Sequence, residues 1–111
     1  MANRYNISGT QGSTLLLTLT CVNSDGTYLN LTDYGVRGGV KENFAASGLL
    51  LNLNPSIYSS ISGKIQISGN STGLAGVPVG IYPYDIEAYK GDYVFKPIAG
   101  YCYIFPETYN L

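Results

Sequence analysis

Gly80-Ile81-Tyr82-Pro83-Tyr84-Asp85-Ile86-Glu87-Ala88-Tyr89 is followed by Lys90-Gly91-Asp92 and then by Tyr93-Val94-Phe95-Lys96-Pro97-Ile98-Ala99-Gly100-Tyr101-Cys102-Tyr103-Ile104-Phe105. Two aromatic-rich runs of alternating polarity around a short polar turn predict a β-hairpin. In the first run Tyr82, Tyr84, Ile86 and Ala88 share one face and Asp85 and Glu87 the other, so the first set is expected in the core. In the second run Cys102 and Ile104 stand on one side and Tyr101, Tyr103 and Phe105 on the other. Both sides are apolar, so this strand is expected to be covered on both faces, by the core and by a neighbouring chain.

Working backwards, Leu15, Leu17, Leu19 and Cys21 alternate with Thr18 and Thr20, the pattern of a half-buried strand. Asn23-Ser24-Asp25-Gly26 supplies a turn, followed by the short stretch Tyr28-Leu29-Asn30-Leu31. Residues 33–42 read as a strand weakened by glycine, with Val36, Gly38 and Val40 facing one way. Leu49, Leu51 and Leu53 predict another, stopped by Pro55. Residues 57–62 read as a loop with at most a turn of helix. Gly63-Lys64-Ile65-Gln66-Ile67-Ser68 is a clean short strand. Residues 70–79 are too broken for more than one helical turn, which would set Leu74 onto the core. About seven strands, short connections and no long helical period predict an all-β sandwich.

The 111 residues suit one domain, residues 1–111, with too little chain for a two-domain cleft. Charged residues are 12% of the chain, about half of the roughly 25% usual in soluble domains. With a net charge of -1 there is no basic footprint for nucleic acid or an anionic membrane, and a surface so poor in charge is expected to be covered by a partner. No apolar run approaches the roughly 18 residues of a membrane span, and the first residues lack the apolar core of a signal peptide. Synthesis and assembly in a cytoplasm are the corresponding expectation. The triplets at Asn6, Asn30 and Asn70 matter as glycosylation acceptors only in a secreted eukaryotic chain.

With no His, hydrolytic triads and most metal sites are excluded, and no catalytic, cofactor or metal site is expected. Cys21 and Cys102 either bridge the two sheets or stay as buried reduced thiols, the second being the usual state in a cytoplasm. Asp85 and Glu87 are about 7 Å apart by strand geometry, a separation found in inverting glycosidases. Any two such residues on a strand satisfy it, so a solvated face is the default reading. Eleven Tyr against three Phe and no Trp is the outstanding bias. Tyr fills half-buried strands, but Tyr89, Tyr93, Tyr101, Tyr103 and Phe105 also form a candidate protein interface, since aromatic residues are enriched where subunits meet. A sugar-stacking platform is the alternative use of the same rings.

The order of several short motifs resembles the small immunoglobulin-like modules of tailed-bacteriophage virions, such as the N-terminal domain of baseplate upper proteins and short stand-alone structural proteins. The matching pieces are Gln11-Gly12-Ser13-Thr14, Asp25-Gly26, Asn30-Leu31-Thr32-Asp33-Tyr34, Gly63-Lys64-Ile65-Gln66-Ile67-Ser68, Gly80-Ile81-Tyr82-Pro83-Tyr84-Asp85-Ile86-Glu87 and Gly100-Tyr101-Cys102-Tyr103-Ile104-Phe105-Pro106-Glu107. They span roughly residues 8–109. The chain departs from the pattern in Asp33, where the corner usually carries Gly, and in Pro83, which predicts an edge strand or a bulge at that point. The resemblance implies an immunoglobulin-like β-sandwich of about seven antiparallel strands. It further implies a non-enzymatic virion protein of the tail, baseplate or fibre apparatus, or of the capsid surface as a decoration. Homo-oligomers and other phage structural proteins would be its partners; independently, chain ends order mainly when something ties them down, so residues 2–8 and 108–111 are the expected arms for reaching a neighbour. A carbohydrate-binding adhesion module is the rival expectation.

Overall fold

In the computed structural model, which describes residues 3–107, the chain is all-β apart from one helical turn, and its strands form two sheets. The strands are β1 (Asn3–Arg4), β2 (Ile7–Thr10), β3 (Leu15–Thr20), β4 (Gly35–Val40), β5 (Leu51–Asn52), β6 (Ser56–Ser59), β7 (Lys64–Gly69), β8 (Gly80–Lys90) and β9 (Tyr93–Phe105), with helix α1 (Ser71–Ala75) between β7 and β8. The smaller sheet has the order β3-β7-β6. The larger has β9-β8-β4-β5, with β1 and β2 both on the far edge of β9.

The core forms where the inner faces of the two sheets meet. Leu15, Leu19, Ile65 and Ile67 come from the smaller sheet, and Val40, Tyr84, Ile86, Ile98, Cys102 and Ile104 from the larger. Leu53 ties the sheets together. Its N–H donates to the Gly38 carbonyl of one (3.3 Å), and its carbonyl accepts from the Ser68 N–H of the other (2.7 Å). The single helical turn is capped by the Asn70 side chain, which accepts from the Gly73 N–H (2.7 Å), and it sets Leu74 fully into the core as its apolar spacing predicts. No helix is long and apolar enough to cross a membrane among the described residues.

Several expectations change. Residues 56–59 are a strand and not a loop: they pair antiparallel with β7, with a register shift after Ile57. Leu49 does not join Leu51 and Leu53 in the core. Strand β5 is only two residues long, and Leu49, still in the preceding loop, lies on the outer side of the sheet against the position that a Gly39 side chain would occupy. Strand β8 is central and has no bulge at Pro83. Pro83 sits opposite Lys41, just beyond the last β4 pair (Val40 with Tyr84), and still accepts the Lys41 N–H (3.0 Å). The donor that proline lacks therefore falls where β4 has ended.

The ladder is not wholly antiparallel either. The chain crosses between the sheets at residues 11–14, so the segment before that crossing lies in the larger sheet and runs parallel to β9. Within the single chain residues 3–8 pair with β9: Ile7 is buried and the segment covers the β9 edge. The other expected arm, residues 108–111, lies outside the described residues. Asp33 has φ of 67°, the left-handed conformation that favours glycine, at the corner where the resemblance leads one to expect Gly. Cys21 and Cys102 are fully buried free thiols, and burial pushes both up to about 11.

A candidate interaction surface on the outer sheet face

The outer face of the larger sheet is set by the β8–β9 register. Pro83 pairs with Tyr101 and Ile81 with Tyr103, so these four side chains share one face, continued along β9 by Phe105. Three rungs beyond Pro83 the register shifts: Ile86 faces Ile98 but Ala88 faces Phe95, leaving Lys96 and Pro97 together opposite Glu87. This bulge reverses the alternation of β9. Before it Val94 and Lys96 point outward; after it Ala99, Tyr101, Tyr103 and Phe105 do.

The five expected interface residues are therefore split. Tyr101, Tyr103 and Phe105 form one outward row, and Phe105 and Tyr101 are exposed while Tyr103 is half-buried. Tyr93 belongs to the opposite side. Its ring packs on Tyr34 (6.4 Å between centroids) and Phe95 (5.7 Å) at the hairpin end of the sheet, where it is itself exposed. Tyr89 is on the outer face but at the far end from Tyr101. Its ring lies under the Arg37 guanidinium at 4.6 Å and occupies the space that a Gly35 side chain would need. Only three of the five are brought together.

Two further residues complete the row. Ile81 is 60% exposed across from Tyr103, and Phe44, 77% exposed on the loop after β4, sets its ring edge-on to Tyr101 (6.3 Å, 78°). Ile81 was readable as the out-facing neighbour of Tyr82. Phe44 lies in a segment without period, and its only sequence signal is a large aromatic side chain among Glu42, Asn43, Ala45, Ala46 and Ser47.

Between this row and Tyr89 lies a polar stretch. Arg37 Nε donates to Glu87 Oε1 (3.0 Å), and Lys96 Nζ reaches Glu87 Oε2 (3.3 Å) and Asp85 Oδ2 (3.1 Å). The Arg37 hydrogen bond holds the Glu87 carboxyl below the usual carboxylate range. Burial works against the charge on Lys96, but its hydrogen bonds to Asp85 and Glu87 outweigh this and raise the ammonium above its ordinary value. Glu87 and Asp85 thus each pair with a cation on a neighbouring strand, an arrangement of cross-strand ion pairing. A cleft of about 320 Å³ opens beside it, walled by Phe44 and Leu49 and floored by Gly39 and Pro83. No group of three or more potential metal-ligating side chains occurs among the described residues.

No protein-family model matches the chain, and no curated protein matches it in sequence.

Proposed function

We propose that the chain is a non-enzymatic structural module of a tailed-bacteriophage particle, built as an immunoglobulin-like sandwich and joined to its neighbours through the outer face of the larger sheet. The observation that carries the assembly role is the apolar row of Ile81, Tyr101, Tyr103 and Phe105, extended by Phe44, on a chain with so few charges.

The immunoglobulin-like assignment draws support from topology. On this reading β3-β7-β6 take the places of strands B, E and D of that fold, and β9-β8-β4-β5 those of G, F, C and an added C′ strand. A second support is local. The Tyr82 hydroxyl, at the start of the F-like strand, donates to the Pro78 carbonyl four residues upstream (2.7 Å), the arrangement of a tyrosine corner. The inter-sheet disulfide of antibody domains has no counterpart, since Cys102 lies on the last strand and both thiols are free. The virion role itself rests on the motif resemblance, an argument by analogy.

The test is particle incorporation. Immunogold labelling of particles assembled from the genome that encodes the chain should detect it on the virion, and Tyr101→Ala should reduce that labelling. Normal particles without the protein would sink the reading. The cleft lined by Phe44 beside the polar Asp85 and Glu87 favours one second reading, an adhesion module whose rings stack on sugars. Glycan-array binding that Phe44→Ala abolishes while incorporation stays intact would favour it.

A further inference from the structure

In residues 3–10 Ile7 is the one fully buried side chain among the described residues, while Arg4, Tyr5, Asn6 and Ser8 are exposed. The strand ladder of this segment is made with β9 alone, in unbroken register from Asn3 opposite Ile98 to Thr10 opposite Phe105.

The β9 edge, in contrast, is shaped for this segment. Gly100 faces the Tyr5 backbone so closely that any Cβ there would overlap the Tyr5 carbonyl oxygen. The Tyr84 hydroxyl donates to that same carbonyl, the Tyr5 N–H donates to the Ala99 carbonyl (3.0 Å), and Asn6 Oδ1 accepts the Tyr101 N–H (3.0 Å). Two residues further on, Ile7 enters the core opposite Cys102. Glycine notch and hydroxyl hold the backbone of this segment, and the apolar hole takes the Ile7 side chain, so together they make a slot that fixes its register.

The connection to β3 is a turn in which the Ser13 N–H bonds the Thr10 carbonyl (3.1 Å) and Gly12 has φ of 78°. Glycine adopts left-handed and extended conformations with similar ease, so residues 11–14 can open into a span without steric cost. Every bond between residues 3–10 and β9 can then be remade with the β9 of another molecule. Closed and exchanged forms then differ in hinge geometry, in the Gln11 hydrogen bonds to the Phe105 and Val77 carbonyls that an opened hinge must remake, and in the local concentration of the partner's slot. The outward aromatic row is on β9 too, so association through it sets the β9 strands of two molecules near each other.

We infer that β9 is a strand-accepting edge whose partner in the assembled state is residues 3–10 of a second copy, so that copies are joined by exchange of this parallel strand. The inference deepens the assembly reading above and rests on it.

Arg4 and Ala99 are directly opposite in the register and lie outside the aromatic row. Neighbouring strands are about 4.8 Å apart, which suits a disulfide. Arg4→Cys and Ala99→Cys chains, each carrying one added cysteine, are unfolded together, refolded at high concentration and oxidised mildly; Cys21 and Cys102 are buried and should stay silent. The expected product is a disulfide-linked heterodimer, formed as assembly proceeds and lost when Gly100→Ala closes the slot. A heterodimer that survives Gly100→Ala would overturn the inference. So would its absence when the doubly substituted chain, Arg4→Cys with Ala99→Cys, closes readily within one molecule. If light scattering still finds oligomers in that case, the exchange fails while association through the aromatic row stands.

Discussion

Tyr93 and Tyr101 lie on one strand and face opposite sides of the sheet, because the bulge at Lys96 and Pro97 reverses the alternation between them. The two substitutions should therefore act differently. Tyr93→Ala loses ring contacts with Tyr34 and Phe95 and should cost about 1 kcal/mol of stability, with association unchanged. Tyr101→Ala loses a single ring contact, with Phe44, and should cost less than that in the monomer, yet lower the oligomer fraction. Urea titration with light scattering separates the two; a Tyr93→Ala chain that loses association would contradict the division of faces.

Tyr82→Phe tests the corner. It removes only the hydroxyl that donates to the Pro78 carbonyl, so the loss should be about 1 kcal/mol, or roughly 4–8 °C in Tm for a chain near this size. A Tm within a degree of the parent would mean that the hydrogen bond adds nothing to the fold.

Gly38 and Gly48 provide a contrast within one small region. A Cβ at Gly38 would overlap the Asp85 carbonyl oxygen and come within 2.9 Å of the Ile86 Cα, both on the adjacent strand. Backbone in the middle of a ladder cannot give way, so Gly38→Ala should cost about 1–3 kcal/mol or more. At Gly48 nothing lies within 4 Å, and Gly48→Ala should be neutral or stabilising by up to about 1 kcal/mol. Equal denaturation midpoints for the two variants would refute the strand packing described.

These sites also show where the sequence is readable. The inner faces of β8 and of the far half of β9 follow from simple alternation, because one face is buried and a one-residue slip would expose it. Leu74 follows from a helical turn too short to do anything except reach the core. The bulge, however, comes from the way Glu87 is paired with two residues, Lys96 and Pro97, and alternation read along β9 by itself carries no trace of it. Pairing of residues 3–10 with β9 joins positions about ninety apart, and nothing local in Asn3-Arg4-Tyr5-Asn6 announces it. Pro83 misleads for a similar reason: its missing donor matters only where a neighbouring strand continues, and β4 stops one residue short.

The buried thiols give a chemical check on the core. Cys21 and Cys102 are pushed up to about 11 by burial, so at pH 8 neither should react with an aromatic disulfide reagent in the folded chain, and both should after denaturation. The sign for stability follows: a raised folded value helps below the unfolded pKa of about 8.5 and is lost as pH climbs toward the folded value. Stability should therefore decline through the alkaline range, less so in a Cys21→Ala, Cys102→Ala chain when each is compared with its own value at pH 7. Rapid labelling of the native chain would show that one of these thiols reaches solvent.

Acid should act through Glu87. Its carboxyl is held down mainly by the hydrogen bond from Arg37, with help from Lys96, so its folded value lies below the unfolded value of about 4.3. A depressed carboxylate contributes stability above the unfolded value and loses it as pH falls through the folded one. Between about pH 5 and pH 3 the parent should thus weaken more steeply than Glu87→Gln, which has no charge to lose. The difference should shrink with added salt, since the Arg37 side chain is 60% exposed and the attraction is screened. Urea midpoints for both chains across this range decide the matter. Parallel curves would mean that the Arg37–Glu87 pair, although well formed, adds nothing to the stability of the sheet.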